Sequence, residues 1–112
     1  MSISDEFVEF VLEQFSDWGQ VTARKMFGGA GLYREGVMFG LIADDVAYLK
    51  VDDSNRKDFE KAGTGPFNPY PEKGKTSIMS YYEIPADVLE NPKVLAKWAQ
   101  RSFDIARKKK KN

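Results

Sequence analysis

Four short apolar runs between residues 21 and 51 constrain this chain more than any other feature. They cover 21–27, 31–34, 37–43 and 46–51, and they are broken at Gly28-Gly29, Glu35-Gly36 and Asp44-Asp45. Runs this short, rich in Val, Ile, Phe and Tyr and separated by Gly or Asp pairs, predict antiparallel strands joined by tight turns. Residues 37–43 are apolar on both faces apart from Gly40, which predicts a central strand covered by helices on at least one side. In 21–27 neither face is cleanly apolar, as expected of an edge strand. In 46–51, Ala47, Leu49 and Val51 share the better core-facing side, with Tyr48 and Lys50 opposite.

Helical patterning flanks this block. Ile3, Phe7, Val8, Val11, Leu12, Phe15 and Trp18 recur at three- and four-residue spacing among acidic residues, which predicts an amphipathic helix. Ser2 or Ser4 suits its N-cap, Asp5 and Glu6 its first turn, and Gly19 its stop. Asp52 or Asp53 is expected to cap a short helix through Ala62, closed by Gly63. Residues 64–76 hold two Gly and three Pro and read as a long irregular connection. A fifth strand follows over 77–84, with Ile78, Ser80, Tyr82 and Ile84 on one face and Met79, Tyr81 and Glu83 on the other. Pro85 ends it, and residues 86–90 suit a short helical turn. Asn91 then caps a last helix with Pro92 in its first position. Val94, Leu95, Trp98, Ala99, Ser102, Ile105 and Ala106 form the inward face of that helix.

The expected fold is α+β. It is a two-layer sandwich with an approximately five-stranded, mostly antiparallel sheet, N- and C-terminal helices and one short middle helix. Its 112 residues fit one domain over 1–106, followed by a basic, disordered tail over 107–112.

The chain contains neither Cys nor His. That excludes disulfides, Cys-ligated zinc and every Ser-His or Cys-His nucleophile pair. No cofactor or metal site is expected. No apolar run approaches the ~20 residues of a bilayer span, and the acidic start lacks the pattern of a secretory signal, so the expected location is cytoplasmic. Basic and acidic residues balance at 17 each, yet they are unevenly spread. Asp5, Glu6, Glu9, Glu13 and Asp17 crowd the first helix, while eight basic residues against Asp104 fill 93–112. That end either meets an acidic partner or is a solvated helix end set favourably against the dipole.

Ala23-Arg24-Lys25-Met26-Phe27-Gly28-Gly29, Gly31-Leu32-Tyr33, Gly36-Val37-Met38-Phe39 and Tyr48-Leu49-Lys50-Val51 resemble the N-terminal domain of the TfoX/Sxy family. The resemblance continues through Ala62-Gly63, Phe67, the run from Met79 to Pro85 and the helix over 98–106. It implies helices laid against a curved antiparallel sheet. Founding members of the family regulate natural competence for DNA uptake, acting with the cyclic-AMP receptor protein at promoters, and carry a second, C-terminal domain. This chain is expected to be a stand-alone copy of the first domain. The family brings no catalytic residues to transfer.

Three function classes follow. The first is a non-enzymatic adaptor that binds a protein, possible transcription machinery among the candidates, and a homodimer is also compatible with it. Its surface would be Arg24, Lys25, Met26, Phe27, Gly28 and Gly29, with Phe67 and Tyr81 nearby in the family fold. Arg, Met and aromatics are enriched at interface cores, and a partly polar edge strand can accept a partner strand. Sheet packing with two solvated charges is the competing account of the same residues, and a simple bend that of the glycines. The second class is nucleic-acid binding, with Arg24, Lys25, Arg34 and the tail from Arg107 on phosphates. The third is an enzyme or small-ligand domain, for which Glu83 beside Tyr81 and Tyr82 is the only constellation available.

Overall fold

The computed structural model describes residues 4–26, 28–68 and 78–111. Their order is α1 (Asp5–Phe15), β1 (Thr22–Met26), β2 (Gly29–Arg34), β3 (Val37–Ala43), β4 (Val46–Lys50), α2 (Arg56–Lys61), β5 (Pro66–Phe67), β6 (Ile78–Glu83), α3 (Ala86–Leu89) and α4 (Pro92–Lys111). The strands form one sheet in the order β1-β2-β3-β4-β6-β5, every pair antiparallel. The fold class is the expected α+β, with β3 inside the sheet and β1 at its edge.

The predicted breaks are the hairpin turns. Glu35 and Gly36 have φ of 52° and 76°, and Asp44 and Asp45 have 51° and 57°. Two-residue loops with both φ positive match the twist of the strands they join, and Gly and Asp tolerate that region best. The Asp45 carboxylate also accepts a 2.8 Å bond from the Ser4 amide, tying the start of α1 to the β3–β4 turn. Between β2 and β3 the register shifts, pairing Leu32 with Gly40 and Tyr33 with Met38. Phe39 is the extra residue of this bulge, and it is fully buried.

The sixth strand, β5, is a correction to the five expected. Pro66 and Phe67 pair with β6 on its outer side. Two residues are too short to show alternation, and an edge is the one place in a sheet that tolerates Pro.

Local hydrogen bonds move two predicted helix ends. Ser4 caps α1, its hydroxyl accepting from the Phe7 amide at 3.2 Å. The helix stops at Phe15 rather than near Gly19, because the Ser16 hydroxyl and amide both turn back onto the Glu13 carbonyl. Helix α2 starts after Asn55, not after Asp52 or Asp53. The buried Asn55 side chain accepts from the Asp52 amide and donates to the Lys50 carbonyl. Asp52 meanwhile accepts from the Ser54 amide and hydroxyl. At the other end Gly63 takes φ 84°, with its amide bonded to Glu60 and that of Thr64 to Phe59, a Schellman closure that glycine makes without strain.

One apolar core joins the helices to one face of the sheet. Val11, Phe15, Leu32, Phe39, Leu49, Phe59, Tyr82, Leu95, Ala99 and Phe103 all belong to it. Phe103 was absent from the expected inward face of α4. Its ring stands edge-on to Trp18 at 5.9 Å. Ser102 is buried in the same helix and donates to the Lys50 carbonyl at 2.7 Å. The backbone of α4 stays helical through Lys111, where the sequence suggested a disordered tail from Arg107. Arg107 meets Asp104 one turn back, at 3.3 Å. Among the described residues no helix is long and apolar enough to cross a membrane.

Candidate functional site

Strand alternation decides which side chains lie on the face away from the core. Leu32, Ala47, Leu49, Tyr82 and Ile84 point into the core. Their neighbours along each strand therefore point the other way. Cross-strand partners share a face, so Arg24 with Gly31, Tyr33 with Met38, Leu41 with Tyr48, and Lys50 with Tyr81 lie on the open side. Among the described residues no helix covers this face.

The open face is apolar and aromatic, with a few charges. Met26, Tyr33, Met38, Leu41, Tyr48 and Tyr81 are all half-buried. Tyr33, Met26 and Met38 crowd one another. A methyl group built on Gly31 would lie 2.9 Å from the Tyr33 ring, 3.0 Å from the Met26 sulfur and 3.3 Å from the Met38 sulfur. Three side chains thus converge over a residue that has none. Arg24 lies over the Tyr33 ring at 5.3 Å, and the Lys50 ammonium over Tyr81 at 4.9 Å, each a cation–π contact. Phe67 packs on Tyr48 with ring centroids 5.0 Å apart.

The tyrosines record this crowding in their acidity. Burial raises the Tyr81 pKa, and the neighbouring Tyr33 raises it further. Tyr33 and Tyr81 sit on β2 and β6, three strand steps apart in the sheet. Tyr48 is raised by burial and then by Glu83 and Asp44. A raised pKa means that the folded state keeps its proton while the unfolded state loses it. Stability from these groups is therefore intact below the ordinary tyrosine value near 10 and is lost as pH rises through the folded values. Phenolate absorbance should show Tyr48 and Tyr81 titrating late. A Tyr81→Phe variant should lose less stability than wild type across that alkaline range in denaturant titrations.

The structure splits the predicted surface. Arg24, Met26, Tyr81 and Phe67 share the open face, although β1 and β5 are opposite edges, about 24 Å apart at the usual strand spacing. Lys25 points to the other side and is exposed. Gly28 is exposed with φ 77° in the β1–β2 turn. Gly29 is buried inside β2, where the Ile42 carbonyl would lie 2.3 Å from an added methyl. Intrachain packing therefore accounts for Gly29, and Phe27 lies outside the described residues. Tyr33, Met38, Leu41, Tyr48 and Lys50 were not singled out from the sequence. Their signal was the alternation opposite Leu32, Ala47 and Leu49, read only for the core.

The other sequence candidates assemble only in part, Glu83 sharing the open face with Tyr81. Glu83 is exposed on the open face, whereas Tyr82 is buried in the core. Arg34 is committed to packing, its guanidinium 4.3 Å from the Trp18 ring and 5.1 Å from that of Phe103. The Gln100 side-chain oxygen accepts from the Trp18 indole at 2.9 Å beside it. A small cleft between α2 and α4, lined by Asn55, Asp58, Phe59, Lys97, Trp98 and Arg101, lies on the helical side.

The profile of the TfoX N-terminal domain matches residues 13–106. The chain is 26% identical over 105 residues to the DNA transformation protein TfoX1 of Aliivibrio fischeri, covering 94% of this chain and 48% of that protein. It spans about half the length of that relative. With the profile matched from the last turn of α1 to the second-last turn of α4, across the whole sheet, the chain belongs to the TfoX N-terminal domain family.

Proposed function

We propose that this chain is a non-enzymatic regulatory or adaptor domain of the cytoplasm, which holds a protein partner on its open sheet face in transcription regulation. One observation carries the reading. Met26, Tyr33, Met38, Leu41, Tyr48 and Tyr81 form a continuous half-buried surface on a face that no described helix covers. Apolar surface gathered in one place on a small domain marks an interaction site, and Met, Tyr and Arg are the residue types that interfaces favour. The rigid sheet behind them keeps the ordering cost of binding low. The name of the relative, a DNA transformation protein, supports a role in competence-type regulation.

The test is affinity capture from host lysate, with and without nuclease, using wild type, Tyr33→Ala/Tyr81→Ala and the control Lys57→Glu. Lys57 is exposed on α2, on the helical side of the molecule. The expected result is a protein that survives nuclease, is kept by Lys57→Glu and is lost by the double variant. Recovery of nuclease-sensitive material alone would replace this reading with nucleic-acid binding through Arg24, Lys25 and the basic end of α4.

A further inference from the structure

The two edges of the sheet are built differently. β5 is two residues long, contains Pro66 and has a register shift against β6, all devices that stop a sheet from growing. β1 has none of these. Its five residues pair with β2 in unbroken register from Thr22 to Met26, and it contains no Pro. Its outer side has no backbone partner among the described residues. Arg24 and Lys25 are exposed on opposite faces of this strand, and neither meets a carboxylate among the described residues. Arg24 is already oriented by the Tyr33 ring.

From this we infer that β1 accepts an acidic, extended segment of the protein partner as a seventh strand. An adjacent pair of acidic residues in that segment sets one carboxylate against Arg24 and one against Lys25. Successive side chains of a strand alternate in face, so two consecutive acids match two consecutive bases. Apolar residues flanking them on the Arg24 side would reach Met26 and Tyr33. The same charges disfavour a second copy of this chain. Antiparallel pairing of β1 with itself in fullest overlap sets Arg24 against the Arg24 of the second copy, and one of the two adjacent registers sets Arg24 against Lys25.

The inference rests on the protein-binding reading and is tested apart from it. The probe is a short fluorescent peptide of alternating Val and Thr with a central Glu-Asp pair, titrated by anisotropy into the full chain beside its Lys-Lys counterpart. Wild type should prefer the acidic peptide by roughly tenfold, and Arg24→Glu/Lys25→Glu, at exposed positions, should reverse the preference. Two N-methylated acidic peptides, each blocking the amides that point to one edge, separate strand addition from charge attraction. One of them should lose binding and the other keep it. Equal affinity for acidic and basic peptides, or binding retained by both methylated forms, overturns strand addition. If those arms fail while Tyr33→Ala/Tyr81→Ala still loses the captured protein, the open-face reading stands and only the seventh strand falls.

Discussion

Phe39→Ala is expected to lower the folding free energy by about 3–5 kcal/mol, the range for removing a fully buried aromatic ring. Phe39 has no solvent exposure and joins the sheet to two aromatic neighbours. It stands edge-on to Phe15 at 5.4 Å and to Trp18 at 5.1 Å, contacts that add to simple burial. Its backbone sits at the β2–β3 bulge, so neighbouring side chains cannot close over the gap without disturbing the register. Domains of this kind have about 5–15 kcal/mol of stability in total, which makes this loss a large fraction. Denaturant unfolding should show a lower midpoint with little change in slope. A loss below ~1 kcal/mol would mean that the core collapses onto the vacancy.

The second large effect is expected at Gly29, where the chain is closed to any side chain. An added methyl would lie 2.3 Å from the Ile42 carbonyl oxygen, a backbone atom that cannot rotate away. Gly29→Ala should therefore cost about 1–3 kcal/mol or more, because the β2–β3 ladder must separate locally. Gly65→Ala is the matched control, since an added methyl there meets nothing within 4 Å. Equal midpoints for the two variants in thermal unfolding would contradict the close-approach account.

Much of this architecture was legible because the residues repeat it at several levels. Glu35-Gly36 and Asp44-Asp45 carry turn chemistry and also separate runs of strand composition, so each hairpin was specified twice. The helix over Val94, Leu95, Trp98 and Ala99 was signalled by period, by Asn91 and by Pro92. What escaped depended on tertiary partners. Pro66 and Phe67 become a strand only because β6 lies beside them. The end of α1 was set by the Ser16 hydroxyl, which competes with the helix in a way that the apolar spacing to Trp18 does not register.

The candidate site was half legible for a related reason. Arg24 and Met26 stood out as a local motif, and the structure places both on the open face. Tyr33, Met38, Leu41, Tyr48 and Lys50 come from β2, β3 and β4, and only the register brings them together. Faces are two-sided, so fixing Leu32, Ala47 and Leu49 as core also fixes the residues opposite them. Gly29 illustrates the reverse case. Gly29 stood in the candidate surface with a simple bend as the competing account, and the Ile42 backbone supplies a structural reason for it.

The most direct measurement is an NMR footprint of the captured protein on this chain, using methionine and isoleucine methyl groups. Met26 and Met38 lie on the open face, while Ile42, Ile84 and Ile105 are buried away from it. Addition of the partner should shift or broaden the Met26 and Met38 signals and leave those of the three isoleucines nearly unchanged. Unmoved Met26 and Met38 methyls, with perturbation confined to Ile105 of α4, would contradict the assignment of the open sheet face as the binding surface.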